Sequence, residues 1–469
     1  MSEVQPVFPS FKNTILGKIV VLGILVFLLL IPLASLSSIL RDRLDRRNEA
    51  VAEIQDIWGA PQHIVGPVMI VPYKRWYKVW KEDLVEVEGS KEKKFKKVEV
   101  MEFEEKHAYF LPEELQVTGS LTPNILHRGI YQAVVYKADL KLTGHFLISF
   151  DKLKIKLEDV LWNDAQITVG IADLRGTKEA IKIKLGTSES IFLPGCKLDA
   201  YSSGIHSPVK LSKEIAADNI PYEIVLQFQG SQKIVFAPLG VKNTVRLTSS
   251  WPDPSFCGAY LPGERTVGPQ GFDALWQISY YGRSYPQQWT SYKDSYHSSS
   301  SLSNSFFGVS LLSLVDAYRC VERSINYALL FIIVILSVFF LFEIVSKLRI
   351  HPFQYLLVAA ALTLFYLLLL SISEFISFGI AYTIGAGISS LLVVLYSMAV
   401  LKSGTRTATI FLGLVADYVF LYFILQMQDY SILTGSILLT LLLASIMYFT
   451  RNINWYKPEV DTNTETTSS

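Results

Sequence analysis

Long apolar runs occur near the start of this 469-residue chain and through its last third. A helix needs about 20 mostly apolar residues to cross the hydrocarbon core of a bilayer, so each run predicts a transmembrane helix. The first is predicted at about 15–36. Five more are predicted at 326–343, 352–372, 377–400, 408–427 and 432–449.

Between the first two runs, the pattern changes to an alternation of apolar and polar residues. It is clearest in AVVYKADLKLTGHFLISF (133–150), and LKIKL (153–157), IKIKL (181–185), EIVLQFQ (223–229) and TVRLTSS (244–250) repeat it. A period of two residues predicts strands with one buried face. The predicted fold is therefore a polytopic α-helical membrane protein, with one N-terminal and five C-terminal spans, carrying a large, mostly antiparallel, sandwich-like β domain outside the cytoplasm.

The two patterns divide the chain into five parts. These are an N-terminal segment (1–14), the first transmembrane helix (15–40), a β-rich extracytoplasmic domain (41–323), a five-helix transmembrane bundle (324–450) and a disordered C-terminal tail (451–469). An alternative for the first helix is a cleaved signal peptide, because the small residues ASLSS follow it. Its apolar run is longer than is usual for a signal peptide, which favours a retained anchor.

The charges of the short loops predict the orientation of the bundle. The segments after the second, fourth and sixth spans are basic, with Lys347, Arg349, Lys402, Arg406, Arg451 and Lys457. The loops after the third and fifth spans contain no basic residue. Since short cytoplasmic loops are enriched in Lys and Arg, both termini are expected in the cytoplasm and the β domain outside it. The arginines of RDRLDRR (41–47) conflict with this locally, but long translocated segments largely escape the rule.

Composition excludes several classes of site. The net charge is +1, with 43 basic and 42 acidic residues, so no overall field would attract nucleic acid. The three cysteines form no CxxC pair and no histidine cluster accompanies them, so neither a metal site nor a cofactor is predicted. Cys196 and Cys257 would either form a disulfide in an oxidising compartment or remain two buried thiols.

Several segments, in order along nearly the whole chain, resemble one protein family. They are HRGIYQAVVYKADLKLTGHF (127–146), VGIADLRG (169–176), LTSSWPDPSFCGAYLP (247–262), GFDALWQ (271–277), VDAYRCVERSINYALLFI (315–332), FFLFEIVSKLRIHPFQYLLVAAALTLFYLLLLSISE (339–374) and TRNINWYKP (450–458). The chain resembles the CreD family of bacterial inner-membrane proteins. The resemblance implies an inner-membrane protein with a role in envelope stress, colicin tolerance and the response to cell-wall-active antibiotics, so the domain outside the cytoplasm is expected in the periplasm. It also implies an association with a two-component regulatory system, but no known reaction.

The chain contains no GxSxG, P-loop, HExxH or strand-linked GxGxxG motif, so no enzymatic activity is predicted. Ionisable residues at membrane depth are stronger candidates, because they are costly in lipid and are usually functional or paired. Asp417 lies inside the fifth span and Glu374 ends the third. Asp417, the more deeply placed, could bind a cation, carry a proton or hold a polar substrate, and Glu374 is a second candidate for a functional role. The structural alternative for Asp417 is a hydrogen bond with a partner such as Tyr366 or Tyr418, or a position facing a polar groove.

Charged residues recur at helical spacing just before the second span and predict ion pairs between neighbouring turns. They are Asp316, Arg319, Glu322 and Arg323. A helix that continues out of the membrane here would couple the β domain to the bundle, so Asp316, Arg319 and Arg323 are candidate coupling residues. At the other end of this span, Glu343 is expected to pair with Lys347.

Aromatic residues are concentrated in WPDPSF (251–256) and GFDALWQISYYGRSYPQQW (271–289). With Trp251 and Trp276, this region could form a periplasmic surface or cleft for a glycan, peptide or lipid. The alternative is a rigid aromatic corner of the hydrophobic core.

These features together predict a non-catalytic, multi-pass inner-membrane protein that maintains or senses envelope integrity. The expected partners are membrane lipid and an envelope protein or cell-wall ligand, with no nucleic acid; the sequence does not define the oligomeric state. One alternative is a membrane transporter that uses Asp417 and Glu374. A second is a membrane-bound hydrolase acting on envelope material, which would need a nucleophile and a base in a cleft of the β domain.

Overall fold

The computed structural model describes residues 15–86, 93–177, 179–198, 201, 203–216, 218–291, 302–311, 317–345, 350–426 and scattered positions from 433 to 451. The chain divides into two compact units. The first unit consists of Met1–Asn48 with Val315–Ser469, and the second of Glu49–Leu314. The N-terminal segment 1–14, half of the residues in the predicted span 432–449 and the tail after Arg451 lie outside the described residues.

Five long helices are described, and all are long and apolar enough to cross a membrane. They are α1 (Ile15–Trp58), α2 (Ala317–Val345), α3 (Pro352–Ser373), α4 (Phe378–Leu401) and α5 (Gly404–Gln426). They confirm the first predicted span and the first four of the C-terminal spans. Pro352 is the first residue of α3, a position where a backbone N–H would have no hydrogen-bond partner within the helix. The His351 Nδ1 atom accepts a hydrogen bond from the N–H of Phe353 at 3.2 Å.

Helix α1 extends well beyond its predicted end at residue 40. The segment RDRLDRRNEAVAEIQDIW contains no glycine or proline and is rich in helix-forming residues, so the helix continues to Trp58. Gly59 follows with a φ of 149°, and a Cβ at this position would lie 2.8 Å from the Gln229 carbonyl oxygen. The division between the two units falls within this helix, which belongs to the first unit up to Asn48 and to the second unit from Glu49.

The described part of the second unit is built from 17 strands in two sheets. The strands are β1 (Gln62–Glu86), β2 (Lys93–Phe110), β3 (Glu114–Arg128), β4 (Tyr131–Phe146), β5 (Gln166–Ile171), β6 (Lys182–Leu185), β7 (Ser188–Ile191), β8 (Leu193–Pro194), β9 (Gly204–Pro208), β10 (Ile220–Ser231), β11 (Lys233–Phe236), β12 (Lys242–Ser249), β13 (Ser255–Gly258), β14 (Glu264–Gly268), β15 (Gly271–Ser279), β16 (Gln288–Thr290) and β17 (Phe307–Ser310).

The nine-stranded sheet has the order β13-β17-β11-β1-β5-β9-β8, with β2 pairing to β1 and β16 to β2. The eight-stranded sheet has the order β14-β15-β12-β3-β4-β10-β6-β7. Both are mixed, because β1–β11 and β12–β3 are parallel pairs while the other pairs are antiparallel. Buried apolar residues of both sheets form one hydrophobic core, as expected for packed sheets.

Strand β4 confirms the longest predicted strand, and buried and exposed side chains alternate strictly from residue 137 to 142. Strands β6, β10 and β12 confirm the predictions for IKIKL, EIVLQFQ and TVRLTSS. The prediction for LKIKL was wrong, because this segment lies between single 3₁₀ turns at Asp151–Leu153 and Leu157–Asp159. Lys154 adopts a left-handed conformation with a φ of 57°, which interrupts the extended backbone.

The two cysteines of the second unit lie far apart in the nine-stranded sheet. Cys257 is on the edge strand β13, whereas Cys196 follows β8 and lies 3.6 Å from the Thr168 hydroxyl oxygen of β5. Adjacent strands are about 4.8 Å apart, and four strand spacings separate β13 from β5. A disulfide requires Cα atoms within about 7 Å, which excludes this pairing. Both cysteines are unbonded thiols.

Candidate functional site

Glu343, near the C-terminal end of α2, has a nearly inaccessible side chain. Its side chain is 2% exposed and lies 2.8 Å from the Lys18 ammonium of α1. It also accepts hydrogen bonds from the Tyr355 hydroxyl at 2.6 Å and the Ile350 N–H at 3.2 Å. The basic partner found among the described residues comes from α1. The expected partner Lys347 lies outside the described residues, so that pairing stays a prediction. We call these four residues the Glu343 cluster.

Glu374 directly follows the C-terminal end of α3, whereas Tyr355 of the Glu343 cluster lies near the N-terminal end of the same helix. The Glu374 side chain is 7% exposed and lies 3.4 Å from Arg43 Nε of α1. The Tyr318 hydroxyl at the start of α2 donates to it at 3.4 Å, and the Arg47 guanidinium lies 5.9 Å from the centre of the Tyr318 ring. The arginines that follow the first apolar run therefore contact the helices of the bundle. We call these four residues the Glu374 cluster.

The two clusters share one design. Each contains a buried carboxylate, a basic residue of α1 and a tyrosine from the helix end next to that carboxylate. Lys18 and Arg43 are separated by about 37 Å along α1 at a rise of about 1.5 Å per residue, slightly more than the roughly 30 Å hydrocarbon core. Both carboxylates are thus used to hold α1 against α2 and α3 near the two ends of its apolar run.

Asp417, on α5, differs from the two glutamates. Its carboxylate forms no hydrogen bond or ion pair with any residue in the described ranges, so the expected bond to Tyr366 or Tyr418 is not formed. The neighbouring Tyr418 hydroxyl instead donates to the Ser389 hydroxyl at 3.0 Å, and the Tyr382 hydroxyl donates to the Tyr418 carbonyl at 2.6 Å. These bonds join α4 to α5 beside the aspartate.

A groove of about 1010 Å³ lies along α4 and α5. Most of its lining is apolar, with hydroxyl groups from Tyr382, Thr383, Ser390, Tyr418 and Tyr422. Asp417 is adjacent in sequence to Tyr418 but is not part of the lining. The groove can accommodate an elongated, largely apolar molecule with a few hydrogen-bonding groups.

Among the described residues of this segment, Arg319, Glu322 and Arg323 form no ion pair with one another. Arg319 and Glu322 are exposed on α2, and the Arg323 guanidinium donates to the Leu425 carbonyl of α5 at 3.2 Å. Arg323 therefore joins α2 to the end of α5 rather than pairing within its own helix. Asp316 lies outside the part of the chain that the structure describes.

Sequence reasoning missed a polar cluster around the last turns of α1 in the second unit. Asp173 accepts hydrogen bonds from the N–H groups of Ala60 and Arg175, both at 2.9 Å, and from the Arg175 guanidinium. Arg175 also donates to the Asp56 carbonyl of α1, and Gln62 bonds to the Asp173 backbone. Burial alone would raise the pKa of Asp173, but these N–H donors and the guanidinium outweigh it and hold the pKa below its ordinary value.

Further contacts hold the same part of α1. Glu53 forms an ion pair with Arg128, and the Trp58 indole N–H donates to the Tyr136 carbonyl at 3.3 Å. Ile54 is buried in a small apolar cluster with residues of β4. The C-terminal turns of α1 are therefore an integral part of the second unit.

The two tryptophans expected at a periplasmic surface differ in burial. Trp276 is fully buried, donates its indole N–H to the Tyr260 carbonyl at 3.2 Å and packs against Phe256 and Phe307. Its assignment to a binding surface was wrong, because β15 directs it into the core; the aromatic-corner alternative describes it correctly. Trp251 is half-buried, and its indole N–H donates to the Asp253 carbonyl at 3.0 Å.

No arrangement typical of a hydrolase is found among the described residues. None of their histidine rings is hydrogen-bonded to a serine, threonine or cysteine side chain; the His206 ring, for example, contacts the Gly195 carbonyl. Nor do the described residues include three or more His, Cys, Asp or Glu side chains placed to hold a metal ion.

Comparison with known proteins assigns the family. The model of the family described as "Inner membrane protein CreD" matches residues 14–456, nearly the whole chain. The chain belongs to the CreD family. The inner membrane protein CreD of Escherichia coli K12 is 29% identical over 446 residues, which cover 95% of this chain and 94% of that protein. This CreD-family chain is therefore an inner-membrane protein with several membrane spans.

The segments that carry the resemblance to CreD proteins also contain the clusters described above. VGIADLRG contributes Asp173 and Arg175, which hold the end of α1. The long segment 339–374 contributes Glu343, Tyr355 and Glu374.

Proposed function

We propose that this protein maintains or senses the integrity of the cell envelope without catalysis, through contacts that its β domain makes with an envelope protein, lipid or cell-wall component. In this proposal the β domain is periplasmic and both termini are cytoplasmic, as the basic loops favour. The association of related proteins with envelope stress, colicin tolerance and a two-component system supports the same role.

The observation that carries the proposal is the anchoring of α1. Its basic residues Lys18 and Arg43 pair with buried carboxylates of the first unit, and its last turns are held in the second unit through Glu53, Asp56 and Trp58. From Arg43 to Trp58 the helix contains no glycine or proline, so this part can pass a displacement of its last turns on to the Arg43–Glu374 contact. A change in the β domain on ligand contact would thereby bias the membrane helices. The segment around Arg319 and Arg323 is proposed as a second connection.

Complementation of a deletion strain tests this function. Two variants receive a seven-residue insertion between Asn48 and Glu49, one flexible (GSGSGSG) and one helix-forming (EAAAKEA). Seven residues make nearly two turns, so the helical insertion preserves both stiffness and facing. We expect the helical variant to restore resistance to cell-wall-active antibiotics and the flexible variant to fail at equal membrane abundance. Equal restoration by both variants would contradict coupling through α1.

A transporter is the second candidate, and Asp417 is the observation that favours it. This carboxylate has no partner in the described ranges and lies beside the groove along α4 and α5. Unpaired intramembrane carboxylates commonly serve ion or substrate pathways. Replacement of Asp417 by Asn separates the two candidates, because a transporter would lose most of its activity while a coupling protein would retain envelope resistance.

A further inference from the structure

Strands β1 and β2 form a long two-stranded ribbon in the second unit. Beyond Tyr73, residues 74–86 of β1 pair only with residues 93–105 of β2 among the described strands. These 13 residue pairs span about 40 Å at roughly 3.3 Å per residue. Two strands on their own are marginally stable in water, so a ribbon of this length gains from a covering partner.

One face of the ribbon is aromatic. It consists of Lys74, Trp76, Lys78, Trp80 and Glu82 of β1 and their direct partners Glu105, Phe103, Met101, Glu99 and Lys97 of β2. Trp80 is 65% exposed, and Met101, Phe103 and Trp76 are 45–52% exposed. Exposed Trp, Phe and Met side chains in one patch are typical of the centre of a protein–protein interface.

The aromatic face is also pre-ordered. The Trp76 and Phe103 rings meet edge to face at 5.2 Å, and the Lys74 ammonium lies 4.8 Å from the centre of the Phe103 ring. The Trp76 indole N–H donates to Asp159 at 2.8 Å, and Lys78 pairs with Glu99 at 2.6 Å. Side chains held in this way lose little conformational entropy on association.

We propose that the aromatic face binds the same face of a second copy of this chain, related by a two-fold axis along the ribbon. Within one ribbon, each β1 residue has a direct partner on β2. The two-fold axis places that β1 residue opposite the same partner residue of the second copy. Lys74 then faces Glu105, Trp76 faces Phe103 and Glu82 faces Lys97 of the other copy. The charge complementarity within one ribbon is thus repeated between two ribbons, and no like charges meet.

The charges of the face distinguish this occupant from a lipid surface. Three lysines (Lys74, Lys78, Lys97) are balanced by three glutamates (Glu82, Glu99, Glu105). A face without net charge gains nothing from anionic head groups, whereas a self-complementary pattern favours a copy of itself.

Photocrosslinking in intact membranes tests the proposal. A benzoylphenylalanine replaces Trp80 in the full-length chain, with a matched control at Tyr77, which is 41% exposed on the opposite face of the same strand. We expect a covalent product of twice the 52.8 kDa chain mass from position 80 and not from position 77, joining two differently tagged copies. Capture of lipid or of another protein at position 80, no capture, or equal dimer yield at both positions would overturn it.

A charge exchange separates contacts between copies from contacts within one ribbon. Glu82→Lys and Lys97→Glu each break the pair inside their own ribbon, but they complement each other across the two-fold axis. When differently tagged Glu82→Lys and Lys97→Glu chains also carry the photocrosslinker at position 80, mixed dimers should exceed self-paired dimers on the order of fivefold, as expected for two exposed ion pairs. A random mixture of tags would contradict the proposed axis.

Discussion

Removal of the Glu343 carboxylate should release α1 from the first unit at one end. Glu343→Ala leaves the Lys18 ammonium, the Tyr355 hydroxyl and the Ile350 N–H without their acceptor. A buried donor left unsatisfied costs about 1–3 kcal/mol, and breaking a buried ion pair from one side costs about 3–5 kcal/mol. Because these costs overlap and Lys18 is 33% exposed, we expect a loss of about 4 kcal/mol for the alanine variant.

The conservative variant makes this prediction sharper. Glu343→Gln keeps an acceptor for Tyr355 and removes only the charge, so its loss should be about 1–2 kcal/mol. In a double-mutant cycle with Lys18→Met, the coupling energy between Lys18 and Glu343 should be about 1–3 kcal/mol. Steric trapping of the protein in bicelles measures these free energies of unfolding. Equal losses for Glu343→Ala and Glu343→Gln, or a coupling energy near zero, would refute the reasoning.

Three further variants test other parts of the molecule. Asp173→Asn should lower the stability of the second unit at neutral pH but have little effect in strong acid. The pKa of Asp173 is depressed in the folded protein, so its stabilisation is present above the unfolded pKa of about 3.9 and is lost as the pH falls through the folded pKa. Urea titrations at several pH values measure this difference. Trp276→Ala should cost about 3–5 kcal/mol in thermal unfolding and Trp251→Ala clearly less, because only Trp276 is fully enclosed in the core. Asp417→Asn should preserve envelope resistance and protein abundance in a complementation assay, and a large loss of resistance at normal abundance would favour the transporter.

Local patterns predicted much of the fold. Apolar runs long enough to cross a bilayer define α1 to α5, and the alternation from residue 137 to 142 defines β4, because both depend on neighbouring residues alone. The same rule failed for LKIKL, where a left-handed Lys154 bends the chain within a short alternating segment. The length of α1 was also underestimated, since the end of an apolar run does not end a helix when helix-forming residues follow it.

The candidate site was less accessible from the sequence. Glu374 and Glu343 were recognised as charges at membrane depth, but their partners Arg43 and Lys18 lie more than 300 positions away in the chain. Helical spacing indicates only neighbours on the same helix, such as Lys347 for Glu343, and therefore cannot indicate a partner on α1. The burial of Trp276 depends similarly on which face of β15 meets the core, and an aromatic-rich segment does not reveal that face.

The distance in sequence between the two halves of each cluster has a consequence for biogenesis. At about 5–20 residues per second, the ribosome needs on the order of 20 s to a minute to proceed from Lys18 to Glu343. During that interval α1 resides in the bilayer with its basic residues unneutralised by their final partners, and the second unit folds meanwhile. The first unit can close only after α3 has been inserted, so a nascent chain stalled before Glu374 would expose α1 to the insertion machinery and to quality-control proteases.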